Sequence, residues 1–285
     1  MDHEQDKLIG ELGQAVDRDL TLYDAGFLTK TLAKRLAATG SGSAAAYLSR
    51  LAADPGEAAA FCRGLNITYS EFFRNPLAFA LLETLILPGL VREKARTTGR
   101  PEIRVWSAGC AGGQEAYSVA ILLDELAATQ GQAVPHRIFA SDIVAAELDA
   151  ARLGVYGAAA LQNVRLRHLR RYFDGHDDAF SISPQLRERV DFARYDLLDA
   201  RSTCPPASIY GDFDLIFCSN LIFYYRPEVR QAILAKLRCC LAPGGYLVTG
   251  EAERAIVEQA GGFAPVAPPA AVFQRTRRRA DPKTA

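Results

Sequence analysis

The sequence predicts an α/β protein, a doubly wound parallel sheet with a small all-helical N-terminal domain in front and a small antiparallel β insertion within it. Three observations carry this. Strand-like and helix-like apolar patterns alternate from Pro101 onward. Residues 1 to about 65 show helical spacing with no persuasive strand. The stretch from Asn163 to Arg189 breaks the alternation with a hairpin-like pattern around Gly175.

In the N-terminal part, Leu22, Tyr23, Phe27, Leu28 and Leu32 lead into Leu36, with Lys30, Lys34 and Arg35 between them on an expected basic face. Ser41-Gly42-Ser43 is a turn able to cap a helix from Ala44 to Leu51, and Asp54-Pro55-Gly56 breaks the chain before a third helical stretch. The first strand, Ile103-Arg104-Val105-Trp106, runs into the small-residue turn Ser107–Gly113 and a helix from Gln114 to about Ala128. A second strand, Arg137–Asp142, precedes a helix from Ile143 to Arg152. Val190-Asp191-Phe192 and Phe213–Asn220 supply the third and fourth. Pro227 opens a helix that Pro243-Gly244-Gly245 is expected to stop, before a strand from Tyr246. The expected divisions are residues 1–65 for the helical domain, 66–275 for the sheet domain and 276–285 for a disordered tail. Within the second, 66–100 is a linker and 163–189 the β insertion.

Composition narrows the function. Lys plus Arg equals Asp plus Glu at 33 each, giving no net charge, which argues against a general nucleic-acid binder. Residues 1–75 carry ten acidic against eight basic side chains, so any basic docking surface there must be local. The insertion holds Arg165, Arg167, Arg170, Arg171, Arg187 and Arg189 and is the most basic region before the tail. No apolar run approaches the ~20 residues of a membrane span, and no signal-peptide core opens the chain. Six cysteines form no C-x-x-C pair, and four scattered histidines show no ligand spacing, so no metal site is expected. A cytoplasmic, reduced, monomeric protein that does not insert into membranes is the expectation.

In an open parallel sheet the ligand lies beyond the C-terminal strand ends, where the strand order switches. Gly109, Ala111 and Gly113 lack bulk, so backbone there can approach a ligand, but their G-x-A-x-G pattern fails the dinucleotide fingerprint and also fits a plain tight connection. Asp142 closes the second strand 29 residues after Gly113, where a carboxylate can accept both ribose hydroxyls or cap the following helix. Asp196 and Leu197, after the third strand, can read and cover an adenine, or Asp196 can simply make a turn. Ser219-Asn220 ends the fourth strand beside the same crevice; Asn220 can cap locally or touch the ligand.

Several motifs in order resemble those of the CheR-type chemotaxis methyltransferases. Asn66-Ile67-Thr68-Tyr69-Ser70-Glu71-Phe72-Phe73-Arg74 is similar to their stretch closing in Phe-Phe-Arg. Val105–Cys110 followed by Gly113–Ser118, Phe139–Ile143, and Phe217–Tyr224 also correspond, and the likeness runs from about Tyr23 to Phe273. The resemblance implies a class I, Rossmann-like, S-adenosylmethionine (SAM)-dependent methyltransferase that leaves S-adenosylhomocysteine. It implies cofactor contacts at Thr68, Ser70, Arg74, Glu115, Asp142, Asp196, Leu197 and Asn220, with Ser219 beside them. Arg74 and Tyr224 would stand nearest the transferred methyl and the acceptor. The implied product is a glutamate 5-O-methyl ester on a chemoreceptor or related signalling protein.

The motifs also depart from the family. Gln114 replaces the first of a Glu pair, Ala111-Gly112 a Ser-Thr, Ala116 a Pro, Ser219 an Arg, and Glu251-Ala252 a His-Ser. Two further readings follow: a related methyltransferase with another protein or a small carboxylate as acceptor, and a SAM-binding adaptor that transfers nothing. Labelled-cofactor transfer to candidate receptors separates the chemoreceptor reading from the first, and cofactor binding without turnover on any cell extract marks the second.

Overall fold

The computed structural model describes residues 2–66, 69–96, 102–131, 133–176, 178–208 and 211–276. The expected disordered tail therefore lies, but for Thr276, outside the described residues. The chain divides into two compact units, Met1–Ile67 with Ile222–Ala232, and Thr68–Leu221 with Ile233–Ala285.

The first unit is helical: α1 (Asp2–Val16), α2 (Ala25–Thr39), α3 (Ala44–Ala53) and α4 (Pro55–Leu65). Their starts are written in the sequence. Asp24, Ser43 and Asp54 each accept a backbone N–H from the first turn of the following helix, and Pro55 fills a position that needs no donor. Ile9, Leu12, Leu28, Leu32, Tyr47, Leu51 and Phe61 form the core. Buried Glu57 accepts from Arg35 Nε at 2.9 Å and Tyr47 Oη at 2.6 Å, and Arg35 holds its carboxyl below the usual range. This corrects the basic face expected of α2: Lys30 and Lys34 are exposed, but Arg35 is spent on Glu57. The segment Ile222–Ala232 joins this unit through Asp24 N to Tyr224 O at 2.8 Å and a stacked Tyr23–Tyr225 pair.

The second unit begins with α5 (Pro76–Leu81), which passes through a π-helical turn, Leu82–Ile86, into α6 (Leu87–Arg96). Then follow β1 (Ile103–Ala108), α7 (Gln114–Gln130), β2 (His136–Asp142), α8 (Ala145–Leu153) and the short β3 (Val155–Gly157). After these come α9 (Leu166–Tyr172), β4 (Phe173–His176), β5 (Ala179–Ile182), α10 (Pro184–Arg187), β6 (Val190–Arg194) and β7 (Phe213–Cys218). Helix α11 (Pro227–Cys240), whose first residues belong to the first unit, leads to β8 (Leu241–Thr249), α12 (Arg254–Ala260), β9 (Phe263–Pro265) and β10 (Val272–Arg275).

The main sheet has the order β6-β2-β1-β7-β8-β10-β9. Its first five strands are parallel, and β10 runs antiparallel to both β8 and β9. All six residues of β7 are buried, as expected of a strand covered on both faces. Trp106, fully buried, donates Nε1–H to Ser141 Oγ at 2.9 Å and ties β1 to β2. The expected α/β class holds, with two antiparallel strands added at one end. Helix α11 stops at Cys240, ahead of Pro243, and β8 takes in Pro243-Gly244-Gly245, with a bulge against β7 between Phe213 and Leu215. The helix ends ahead of the expected stop because Leu241 pairs with Phe213 of β7 and starts the strand before the Pro-Gly-Gly cluster is reached.

Strands β3, β5 and β4 form a separate antiparallel sheet. Beside it, three of the six arginines of this region have acidic partners: Arg165 and Arg167 pair with Glu83, and Arg171 pairs with Asp124 and Glu125. No helix among the described residues is long and apolar enough to cross a membrane.

Candidate cofactor and transfer site

The strand order reverses between β1 and β7, so the chain leaves β1 on one side and β7 on the other and opens a crevice at their C-terminal ends. Hydrogen bonds join the turn after β1, Asp142 and the chain leaving β6, and a second set holds Glu115 with Ser107 and Ser219.

The turn after β1 has positive φ at Gly109 (77°), Ala111 (44°) and Gly113 (85°). An Ala in that conformation is strained, and the strain is offset by anchoring. Ala111 N–H donates to Asp142 Oδ2 at 2.9 Å, while Gly109 and Cys110 N–H both donate to Ser141 O. Gly113 serves packing: an added Cβ would lie 2.9 Å from Ala151 Cβ and 3.0 Å from Phe192 Cζ. Its small size seats α7 against α8 and β6, which differs from the expected approach of ligand to backbone.

Asp142 accepts from Val144 N at 2.9 Å with its other oxygen. It does not cap α8, whose N-cap is Val144. Each carboxylate oxygen has two acceptor sites and uses one, so both retain capacity for an incoming hydroxyl. The β2 end also holds the next strand's exit, because Tyr195 N–H donates to Asp142 O at 3.0 Å. Beyond it, exposed Asp196 accepts Leu198 N–H at 2.8 Å in a local turn. The Leu197 and Asp199 carbonyls both accept from Lys236 Nζ at 2.7 Å.

Half-buried Glu115 stands on the first turn of α7. Ser107 Oγ donates to it at 2.6 Å, and the Ser219 hydroxyl also bonds it. Burial pushes its carboxyl up to about 7; the two hydroxyls and Arg74 pull it down, while Glu253 pushes it further up. A carboxyl poised this way gains most from a cation placed beside it. Asn220 has φ 59°, and its buried Oδ1 lacks a hydrogen-bond partner among the described residues. Such an orphan acceptor asks for a donor from a ligand. The neighbouring Gln114 Oε1 is buried and unpartnered in the same way.

Arg74 lies in a segment of unusual backbone: Phe73 has φ 54° and Asn75 φ 65°. Phe72 is fully buried, edge-on to Tyr156 and Phe173, and its N–H donates to Ala160 O. Phe73 N–H donates to Ser118 Oγ at 2.9 Å, and that hydroxyl donates to Gln114 O. Two anchored phenylalanines thus fix the backbone that carries Arg74. Its guanidinium donates to Tyr69 O at 2.9 Å and lies over the Tyr69 ring. Ser70 is half-buried nearby, and Thr68 lies outside the described residues. Tyr224 belongs to the first unit, with its ring 4.7 Å from Phe27 and 4.2 Å from Phe223, centre to centre.

Residue-by-residue reading missed four residues that shape this crevice: Ser107, Ser118, Lys236 and Glu253. Glu253, fully buried, accepts from Asn220 N at 2.8 Å, Leu221 N at 2.7 Å and Gly250 N at 2.7 Å, and so holds the turn that presents Asn220. Only glycine fits at position 250, since a Cβ would lie 2.6 Å from Asn220 Nδ2. The Gly-x-x-Glu spacing of a helix start is the one local signal that pointed to Glu253.

Comparison with known proteins agrees with this geometry. Residues 68–268 match the family model described as CheR methyltransferase, SAM binding domain. The chemotaxis protein methyltransferase of Escherichia coli is 34% identical over 229 residues, covering 78% of this chain and 74% of that one. Chemotaxis protein methyltransferase 1 of Pseudomonas aeruginosa is 34% identical over 186 residues, 64% of each chain. An uncharacterised 104.1 kDa protein of Rhodobacter capsulatus is 29% identical over 262 residues, 92% of this chain. This chain spans only 26% of that last relative's length. With a family model covering most of its length, the chain belongs to the CheR methyltransferase family and carries that family's SAM-binding domain.

Proposed function

We propose that this protein transfers a methyl group from SAM to glutamate side-chain carboxylates of a chemoreceptor or related signalling protein, forming glutamate 5-O-methyl esters and S-adenosylhomocysteine. The observation that carries the reading is the hydrogen-bonded continuity of the Gly109–Gly113 turn, Asp142 and the Tyr195–Asp199 loop, with Glu115 and the orphan Asn220 Oδ1 beside it. Relatives named as chemotaxis protein methyltransferases support the choice of acceptor.

The residues fit the cofactor. Asp142 would accept the ribose hydroxyls, Asp196 and Leu197 would meet the adenine, and Asn220 Oδ1 would take a donor. Glu115 would face positive charge, and Gly109, Ala111 and Gly113 would form the turn beneath. Thr68, Ser70 and Ser219 complete the proposed contacts. When bound, SAM supplies a methyl group activated by a sulfonium. An acceptor glutamate, with an ordinary pKa of about 4.3, is already ionised at neutral pH, so this chain needs no general base. Its task is orientation, and effective molarities of about 10⁵–10⁸ M show that orientation can suffice. Arg74 would hold the acceptor carboxylate through its planar fork, and Tyr224 is the other residue that the family resemblance assigns to transfer.

One observation favours a different acceptor. The Ser219 hydroxyl is engaged with Glu115, so position 219 adds no cation beside Arg74. Incubation with labelled SAM and candidate receptors tests both. Base-labile label released as methanol from a receptor supports the main reading. Label on other proteins or small acids supports the second. Cofactor binding with no transfer on any substrate supports an adaptor.

A further inference from the structure

Helix α11 places Lys236 against the chain that leaves β6. The ammonium has three N–H donors. Two go to the carbonyls of Leu197 and Asp199 at 2.7 Å each, and the third side meets Tyr195, 3.4 Å from its hydroxyl and 5.5 Å from its ring centre. Cys240, one turn later on the same helix, donates Sγ–H to Thr203 O. Within the loop, Tyr195 N–H donates to Asp142 O at its start, Leu198 N–H to Asp196 Oδ1 and Asp199 N–H to Asp196 O, while further on Tyr195 Oη donates to Ser202 O and Arg201 pairs with Asp199. The carbonyls on either side of Leu198 are both held by one ammonium from α11, the helix bond nearest the Asp196–Leu197 turn.

We infer that Lys236 is a positioning residue for the base-binding side of the cofactor site: it aims the Asp196–Leu197 turn and so sets both affinity for, and discrimination of, the adenine. This rests on the cofactor site proposed above and adds to it a residue from a helix that contributes no predicted contact. A bare hydrophobic side chain in its place leaves two carbonyls without their donor, and the turn is then free to tilt. A guanidinium retains donors for both carbonyls and restores part of the geometry.

The experiment is calorimetric titration of wild type, Lys236→Met and Lys236→Arg with S-adenosylhomocysteine and with S-inosylhomocysteine, which carries an oxo group where adenine has its amino group. Wild type is expected to prefer the adenine ligand. Lys236→Met is expected to lose about tenfold in affinity for it, what one charge-assisted bond is worth. Its preference between the two bases falls towards unity, and Lys236→Arg recovers part of both. In the transfer assay the Lys236→Met loss appears in KM for SAM, with kcat at saturation within about twofold. A lower thermal midpoint with affinity and base preference unchanged shows a purely structural lysine and overturns the inference. Wild-type affinity and preference in Lys236→Met overturn it equally. Absence of S-adenosylhomocysteine binding by wild type removes the cofactor site itself, a distinct failure.

Discussion

Asp142 and Asp196 occupy matching places, one closing β2 and the other two residues past the end of β6, yet the fold treats them differently. Asp142 receives two backbone donors from separate segments, Ala111 of the β1 turn and Val144 ahead of α8. It is both ligand candidate and cross-link, held at the centre of the crevice. Asp196 receives one donor from two residues along its own chain and is exposed. Its placement depends on a lysine from α11. Two acids that read alike in sequence thus differ in how rigidly they are presented. Rigid presentation is what a binding site uses to avoid an ordering cost.

That contrast ranks the expected effects. Asp142→Ala removes the cofactor acceptor and the tie to Ala111 together, so binding of S-adenosylhomocysteine should fall at least about a hundredfold, as two charge-assisted bonds imply. Asp142→Asn keeps the shape and one acceptor oxygen; circular dichroism should show an intact fold with binding still weakened, separating ligand loss from unfolding. Arg74→Ala touches neither acid. Its transfer rate should drop about a hundredfold while part of the S-adenosylhomocysteine binding remains, the larger loss marking an interaction made to the acceptor.

Glu115 gives a pH test. Its folded carboxyl titrates near 7 against an ordinary 4.5, so the folded chain holds a proton that the unfolded chain has released. Stability from this group is full below about pH 4.5 and is lost as pH rises through 7. Glu115→Gln should remove that part of the slope in a thermal melt series. A bound cation favours the ionised form, so affinity for SAM should rise about tenfold from pH 6 to 8 with proton release, and stay flat in Glu115→Gln. The smallest effect is expected for Asp196→Ala, a loss of about three- to tenfold in affinity, because that acid is exposed and held locally. A larger loss there than at Asp142 would break the comparison.

Much of this was legible in the sequence because it is local. The caps at Asp24, Ser43 and Asp54, the strand Phe213–Cys218 and the small-residue turn after Trp106 each announce themselves within a few residues. What escaped depends on partners far along the chain. Ser118 reaches back 45 residues to Phe73, Glu253 reaches 32 and 33 residues to Leu221 and Asn220, and Lys236 reaches 37 and 39 to Asp199 and Leu197. Their side chains look like ordinary helix residues until the sheet brings the loops to them. The acids that pair with Arg165, Arg167 and Arg171 escaped for the same reason, since Glu83, Asp124 and Glu125 come from other helices.

The central claim is that these strand ends form one nucleoside site whose floor is Asp142. Calorimetric titration of the wild-type chain and of Asp142→Asn with S-adenosylhomocysteine tests it most directly. One-to-one binding by the wild type, strongly weakened in a variant that remains folded, is the predicted result. Equal affinity in the two, or no heat of binding in the wild type, would contradict it.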